Sequence, residues 1–544
     1  MSLQQPVRRV AIVGGGSSGW MTAAYLSKAF GPEIDVTVVE SGTINTIGVG
    51  EATFSDIHLF FEFLGLREED WMRECNAGYK IAIRFAGWNA EGRTFDHPFE
   101  RPALVDGRSM AEWWLQTHPQ TPYDRACFVS SRLCDAQRAP RFPDGRVYDE
   151  SADRDAGRGA DRHQPRLLED LQIQYPYAYH FDASLFANVL ARYAAARGVR
   201  RVIDDVIDVE MGDSGDIAAL RTKEHGRIAA DLFVDCTGFR GRLINQALGE
   251  PFISFLESLP CDRAVAMQVP SDGGREGMAP YTMATALSAG WVWTIPLFHR
   301  LGSGYVYSSA CVTADEAERE FRAFLGPPAE GRSALHIKMR VGRTRDAWVR
   351  NCVAIGLSAG FVEPLESTGL FFAQHGIEQL VSHFPWSGCD DATARSYNRI
   401  VADCIDGVRE FLTLHYVASS RADTTFWRLT KHELHVPDAL AERLRLWKER
   451  LPTRRTIGPA YHGFGPHNYT AMLMGLGWRP DRPLRVLQSM DPSRADIEFA
   501  HVRDRAALLA RTLPSQYEYL ASKYARREDK EVAWENRRSA AGSA

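Results

Sequence analysis

The sequence contains no CxxC pair: its nine cysteines, at 75, 127, 134, 236, 261, 311, 352, 389 and 404, follow no regular spacing. A disulfide framework and a thiolate zinc site are excluded by that scatter, and 544 residues bury ample core without staples. Reduced thiols in a cytoplasm are the expectation. There is no apolar run of about 18 residues to cross a membrane, and residues 1–9 are polar and basic, unlike a secretory leader. An excess of one charge is missing too. With 64 basic and 69 acidic side chains the net charge is −5, so neither a nucleic acid nor an anionic membrane is an expected partner. His432 and His435 stand in H-E-L-H, short of the H-E-x-x-H of zinc hydrolases, and no metal site is expected. Lysine is scarce at eight of the 64 basic residues, so any lysine in a conspicuous position departs from the arginine default. What remains, 45% hydrophobic and 24% charged, is the composition of an ordinary soluble globular protein, long enough for a large enzyme.

Val10 to Val13 form a short apolar run, as a buried parallel strand does, and run into Gly14, Gly16, Ser17 and Gly19 in a G-x-G-x-x-G pattern. A helix-permissive stretch follows over 20–30, then a second apolar run over 34–39 ending at Glu40, 21 residues after the third glycine. Strand, glycine loop, helix, strand and acid form the whole dinucleotide fingerprint. The glycines admit a pyrophosphate to the backbone, the helix N-terminus offers free N–H groups, and the acid bonds a ribose hydroxyl. Two later apolar strands also close on small residues: 231–239 (D-L-F-V-D-C-T-G-F), with Gly238, and 351–360 (N-C-V-A-I-G-L-S-A-G), with Gly356 and Leu357. Three such segments spread over 350 residues predict an α/β fold with a discontinuous Rossmann-like FAD domain, rather than a compact nicotinamide domain. That domain is placed at 1–390, with sheet segments inserted between its cofactor strands.

Four further segments carry chemistry. Residues 79–88 read Y-K-I-A-I-R-F-A-G-W; the alternation of Ile81, Ile83 and Phe85 turns one strand face inward and sets Lys80 with Arg84 on the other, where spacing alone leaves a solvated lysine. Residues 290–296 read G-W-V-W-T-I-P, so Trp291, Trp293 and Ile295 share a face. Residues 361–369 read F-V-E-P-L-E-S-T-G ahead of an amphipathic helix over 370–384, which Ser367 or Thr368 can cap. Residues 47–53 read I-G-V-G-E-A-T.

With these segments the sequence resembles the flavin-dependent tryptophan halogenases, from about residue 8 to about 430. The family's W-x-W-x-I-P and F-x-x-P-x-x-S-x-G signatures are both present. The resemblance implies a GR2-type FAD fold and a two-component enzyme: a separate flavin reductase supplies FADH2, oxygen and halide (chloride or bromide) yield hypohalous acid, and Lys80 delivers the halogen to an indole carbon. It further implies that Glu366 polarises the oxidant or accepts the ring proton. Thr368 and Gly369 would hold halide through their amides. Val49, Glu51, Ala52, Gly369 and Leu370 would touch flavin, the tryptophan row at Trp291 would separate flavin from substrate, and His97 with Phe99, in an H-P-F turn, would stack on the indole. An aromatic hydroxylase and a non-catalytic flavin-fold carrier are the rival readings; the tryptophan row argues against the first.

From Asp391 an apolar face of Tyr397, Ile400, Val401, Cys404, Ile405, Val408, Phe411 and Leu412 predicts a long helix, and Phe499, Val502, Ala506, Leu509 and Leu513 predict another, ending before Pro514. A helical substrate domain is placed at 391–525 and a frayed tail at 526–544. Members of the family that take free tryptophan carry an E-x-x-x-F-W run here to grip the zwitterion. Residues 452–469 (P-T-R-R-T-I-G-P-A-Y-H-G-F-G-P-H-N-Y) lack it and read as a loop, with Phe464 in place of the stacking tryptophan and Asn468 matching a family asparagine. A desolvated zwitterion needs two counter-charges, so the expected substrate is tryptophan within a peptide or another derivatised indole, with free tryptophan or a simple indole as the alternative. The charged stretch 141–170 reads as a solvated loop. A homodimer stays open.

Overall fold

The structure, a computed structural model, describes residues 6–43, 50–149, 175–481 and 484–525. Val49, most of the charged stretch 141–170 and the tail from 526 lie outside the described residues.

The opening run forms the centre of a six-stranded sheet. Strand Arg9–Val13 lies between Asp35–Glu40 and Leu232–Asp235; Arg200–Ile203 flanks one side and Cys352–Ala354 the other, with Trp348–Val349 at the edge. All neighbours are parallel except that last pair. Helix Ser17–Phe30 packs on the sheet strands Arg9–Val13 and Asp35–Glu40 and against helices Ala183–Ala195 and Gly369–Ser382, and Val10, Ala11, Ile12, Leu232, Phe233 and Val234 are all buried without alternation, as in a sheet covered on both faces. The strands that carry the three glycine segments are therefore neighbours, and their carboxyl ends share one edge of the sheet.

A second, seven-stranded sheet runs in the order 335–338, 263–270, 300–307, 290–296, 281–286, 82–86, 94–98. Strand alternation divides its faces. Val265, Met267, Val292, Tyr305 and Tyr307 pack under helix Ala314–Leu325 with Phe321, while Trp291, Trp293 and Ile295 turn into the main core. The tryptophan row thus shares one face, with rings 6.4 Å apart.

Beyond residue 390 the chain is helical. Asp390 caps helix Asp391–Val417 by accepting from the amides of Ala392 and Thr393, and its expected apolar face is buried except for the half-buried Ile400. Helix Ser493–Thr512 ends two residues before Pro514. The segment 452–469 is not a loop throughout. Pro466 occupies the first turn of a helix, Pro466–Leu476, because its fixed φ suits that position and its missing N–H costs nothing there. Asn468 therefore sits at a rigid helix start.

Candidate functional site

Lys80 is fully buried, contrary to the outward face its spacing suggests. The alternation misleads because the strand breaks: Gly78–Lys80 pairs with Ala178–Phe181, while Ala82–Ala86 joins the seven-stranded sheet, and Ile81 between them donates its amide to Pro280. Arg84 is buried as well, held by Asp96 at 2.6 and 2.9 Å and by Asp135 at 2.9 Å. The Lys80 ammonium donates to the Thr53 carbonyl at 3.1 Å and the Ser367 hydroxyl at 2.8 Å, and lies 5.1 Å from the centre of the Phe99 ring. Burial pulls its pKa down to about 7 against the opposing pull of Glu366.

Ser367 has φ +61°, a left-handed turn between the short helix Pro364–Glu366 and helix Gly369–Ser382. That turn sends the Ser367 hydroxyl to Lys80, so Ser367 does not cap the helix. Nor does Thr368: no side chain caps this N-terminus, and the buried Thr368 Oγ1 has no partner. A Cβ added at Gly369 would meet open space. Unpaired first-turn amides, a free hydroxyl and room beside them suit a small anion.

Glu366 is fully buried between two imidazoles. His97 Nδ1 stands 3.0 Å from both carboxylate oxygens, and His415 Nε2 stands 2.9 Å from Oε1. Burial opposes ionisation of Glu366, but the His97 and His415 imidazoles outweigh it and hold the carboxyl down to about 2. His97 is not in an exposed turn. Strand Thr94–Pro98 pairs with Ala82–Ala86, His97 opposite Ile83, and both ring nitrogens are engaged, Nε2 with Asn468 Nδ2 at 3.0 Å. Its edges therefore serve Glu366 and Asn468. Those bonds lie in the ring plane and leave the His97 face open, and the aromatic wall beside it centres on Phe54, which meets Phe99 edge-on at 6.1 Å and Phe464 at 5.2 Å, while Phe464 stacks on Phe411 at 4.0 Å.

Trp291 donates its indole N–H to Glu363 at 3.1 Å, and Glu363 also accepts from the Cys261 amide and the Tyr416 hydroxyl. Sequence reasoning missed both Glu363 and His415. The second was within reach, since His415 lies four residues after Phe411, on the apolar side of a helix whose face was already visible.

At the sheet edge the glycines divide into two kinds. Gly14, with φ +122°, would drive a Cβ to 2.2 Å from the Cys236 carbonyl oxygen, Gly19 to 1.9 Å from that of Gly14, and Gly356, with φ +76°, to 2.2 Å from Ser18 Oγ. Their bareness is required by the protein's own packing. Gly238, with φ +69°, faces open space as Gly369 does. Gly16 and Ser17 open helix Ser17–Phe30 without a side-chain cap. The Glu40 carboxylate, bonded by Trp20 Nε1 at 3.1 Å and by Arg201, turns over the loop so closely that a Cβ at Gly15 would lie 1.8 Å from its Oε2. Gly15 was not singled out in the sequence, although the G-G-G run contains it. Leu357 follows Gly356 in a short helix over 356–358, and Leu370 is buried in the first turn after Gly369. Glu51 and Ala52 pair with Phe181 and His180, and burial lifts the Glu51 carboxyl to about 7.

A sequence-family profile described as tryptophan halogenase matches residues 9–492. The chain belongs to the tryptophan halogenase family. It is 54% identical over 518 residues to tryptophan 6-halogenase SttH of Streptomyces toxytricini, across 94% of this chain and 98% of the relative. It is 52% identical over 516 residues to 7-chloro-L-tryptophan 6-halogenase KtzR of Kutzneria, across 94% and 99%. The structure of Tar14, a tryptophan C-6 flavin-dependent halogenase (chlorinase) from taromycin biosynthesis, superposes with a TM-score of 0.89 at 51% identity, covering 95% of this chain and all of that one. The enzyme is thus a flavin-dependent halogenase with the Rossmann-like fold its glycine segments imply. FAD and halide come with that membership. The open space at Gly238 and Gly369, the uncapped helix starts and the placement of Glu40 fit them. Among the described residues no helix is long and apolar enough to cross a membrane. The expectation of a peptide-bound substrate finds no support in these relatives. It rested on a missing acidic F-W run in the segment 452–469, whose last residues, from Pro466, begin a helix.

Proposed function

We propose that this halogenase acts on free L-tryptophan, installing chlorine or bromine at indole C6, with Lys80 and Glu366 at the reacting end and a separate reductase supplying FADH2. The observation that carries the reading is the convergence of Lys80, Ser367, Glu366, His97 and Asn468 from four segments of the chain onto one buried cluster, edged by Phe99 and Phe464. The relatives' names supply the substrate and the ring position.

When bound, reduced FAD supplies, with oxygen, the two-electron oxidation of halide to hypohalous acid. Gly14, Gly16, Ser17, Gly19, Glu40, Gly238, Gly356 and Leu357 would hold it at the sheet edge, with Glu51, Ala52, Gly369 and Leu370 beside it; Thr368 and Gly369 would hold the halide. The Trp291 row, fixed by Glu363, keeps the two ends apart. Lys80 holds hypohalous acid through an N–H left after its bonds to Thr53 and Ser367. His97, Phe99 and Phe464 hold the indole plane, which decides which ring carbon faces Lys80. Overall, ring C–H and hypohalous acid give ring C–halogen and water.

Incubation of L-tryptophan, tryptophan-containing peptides and simple indoles with enzyme, FAD, a flavin reductase, NADH and halide tests the reading by mass spectrometry and NMR. Monohalogenated 6-substituted tryptophan as the preferred product is expected. Oxygenated products, or faster turnover of the peptides, would reject it.

A further inference from the structure

The hydrogen bonds around Glu366 fix where its protons are, and that placement bears on what the carboxylate can do. The Gly465 amide donates to Asn468 Oδ1 at 2.7 Å, which sets the orientation of the Asn468 side chain. Its amide nitrogen therefore faces His97 Nε2 at 3.0 Å. An amide nitrogen only donates, so Nε2 is bare and the single proton of His97 sits on Nδ1, pointing at Glu366. His97 is a neutral donor.

His415 is constrained from the opposite side. Its Nδ1 lies 2.8 Å from the Phe411 carbonyl oxygen, which only accepts, so Nδ1 carries a proton. Its Nε2 lies 2.9 Å from Glu366 Oε1. That contact holds one proton, on the imidazole or on the carboxyl. The position of His97 decides between them. Its N–H bisects the two oxygens at 3.0 Å each, as suits a delocalised carboxylate rather than a carboxylic acid with one O–H.

We infer that His415 is an imidazolium whose fixed charge keeps Glu366 an anion, so that Glu366 serves the reaction as a standing negative charge, and the ring proton leaves not on Glu366 but as water, with the hydroxide that hypohalous acid releases when its halogen bonds to the ring carbon. The inference rests on the reading that Glu366 flanks the halogenating lysine. It assigns a positioning role to His415, which acts only through Glu366. Among the described residues, the titratable groups facing Glu366 are His97, His415 and Lys80. Arg101 and His467 lie beyond His97. His415 otherwise faces the rings of Phe85, Trp88 and Phe411. A buried carboxylate between a lysine and an imidazolium gains little from taking a proton. It gains more from the positive charge that develops on an indole under electrophilic attack.

The test is the protonation state of the His415 ring in full-length protein labelled with 15N histidine, its signal assigned by loss in His415→Gln. At about pH 7.5 both ring nitrogens are expected in the protonated range. In Glu366→Gln the ring should revert to a single proton, on Nδ1. A bare Nε2 in the wild type overturns the inference, because the shared proton then belongs to Glu366. These shifts are read without turnover, so they stand even if the substrate assignment fails. If His415→Gln does not fold, the shift caused by Glu366→Gln makes the assignment. Kinetically, His415→Gln should lower kcat about 10- to 100-fold with KM for L-tryptophan within about twofold. It should also bring a new ionisation onto the acid limb of kcat. A kcat–pH profile unchanged in shape overturns the inference as well.

Discussion

Trp291 and Glu363 are joined by a hydrogen bond of 3.1 Å in full burial, so the tryptophan row is anchored by a carboxyl and not by packing alone. The same carboxyl accepts from the Cys261 amide on the next segment and from Tyr416 on the long helix. One acid therefore ties the seven-stranded sheet to the helical region at the level of the row.

That acid gives a stability prediction. Burial lifts Glu363 to about 7, above its ordinary 4.5. A folded-state value above the unfolded one means that the protonated carboxyl favours folding; the benefit is complete below about pH 4.5 and is lost as pH rises to 7. Glu363→Gln, which cannot ionise, should remove this part of the fall in Tm between those limits, as read by calorimetry across pH. A Tm–pH slope equal to that of the wild type would refute the assignment.

Lys80 carries the opposite sign. Its pKa is about 7 when folded against 10.5 unfolded, so its contribution is favourable only above 10.5 and declines as pH falls to 7, below which the fold must bury an ammonium. Lys80→Met should raise Tm near neutral pH while lowering halogenated product at least about 1,000-fold, with oxidation of reduced flavin retained. A variant as active as the wild type, or one less stable at pH 6, would count against the site.

At Gly369 an added Cβ meets nothing, so Gly369→Ala should fold with Tm within about 2 °C of the wild type. The methyl would stand in the space proposed for halide. The halide concentration for half-maximal rate should rise about tenfold or more, while KM for L-tryptophan stays put. An unchanged halide dependence would move the anion elsewhere.

Gly14 makes the contrasting case. With φ +122° and a carbonyl oxygen 2.2 Å from the added atom, Gly14→Ala should lose about 3 kcal/mol of stability, visible in chemical denaturation, and FAD affinity with it. A variant of wild-type stability would show that the glycine loop relaxes freely.

The dinucleotide fingerprint was legible because its physics is local: glycines, a helix start and an acid act within 40 residues, and Gly14 to Glu40 lie where that pattern puts them. The tryptophan row was legible because strand alternation fixes a face. Lys80 was recoverable only through resemblance, since the break at Ile81 hands successive residues to different sheets and cancels the periodicity that spacing relies on. His97 and Asn468 were picked out as residues but not in their relation, because their contact spans 371 positions and no local signal encodes it. The helix at 466–476 was masked by the prolines and glycines before it, although Pro466 at its first turn is a start signal as much as a breaker.

The helix Pro466–Leu476 brings Asn468 to His97 and lays Gly475 so close to Phe95 that a methyl there would strike the ring at 2.1 Å. Grafting the C-terminal helices of a relative onto this enzyme would exchange one half of both contacts. Both contacts therefore survive in such chimeras only when strand 94–98 and helix 466–476 are exchanged as a matched pair, and not when the helices move as a cassette.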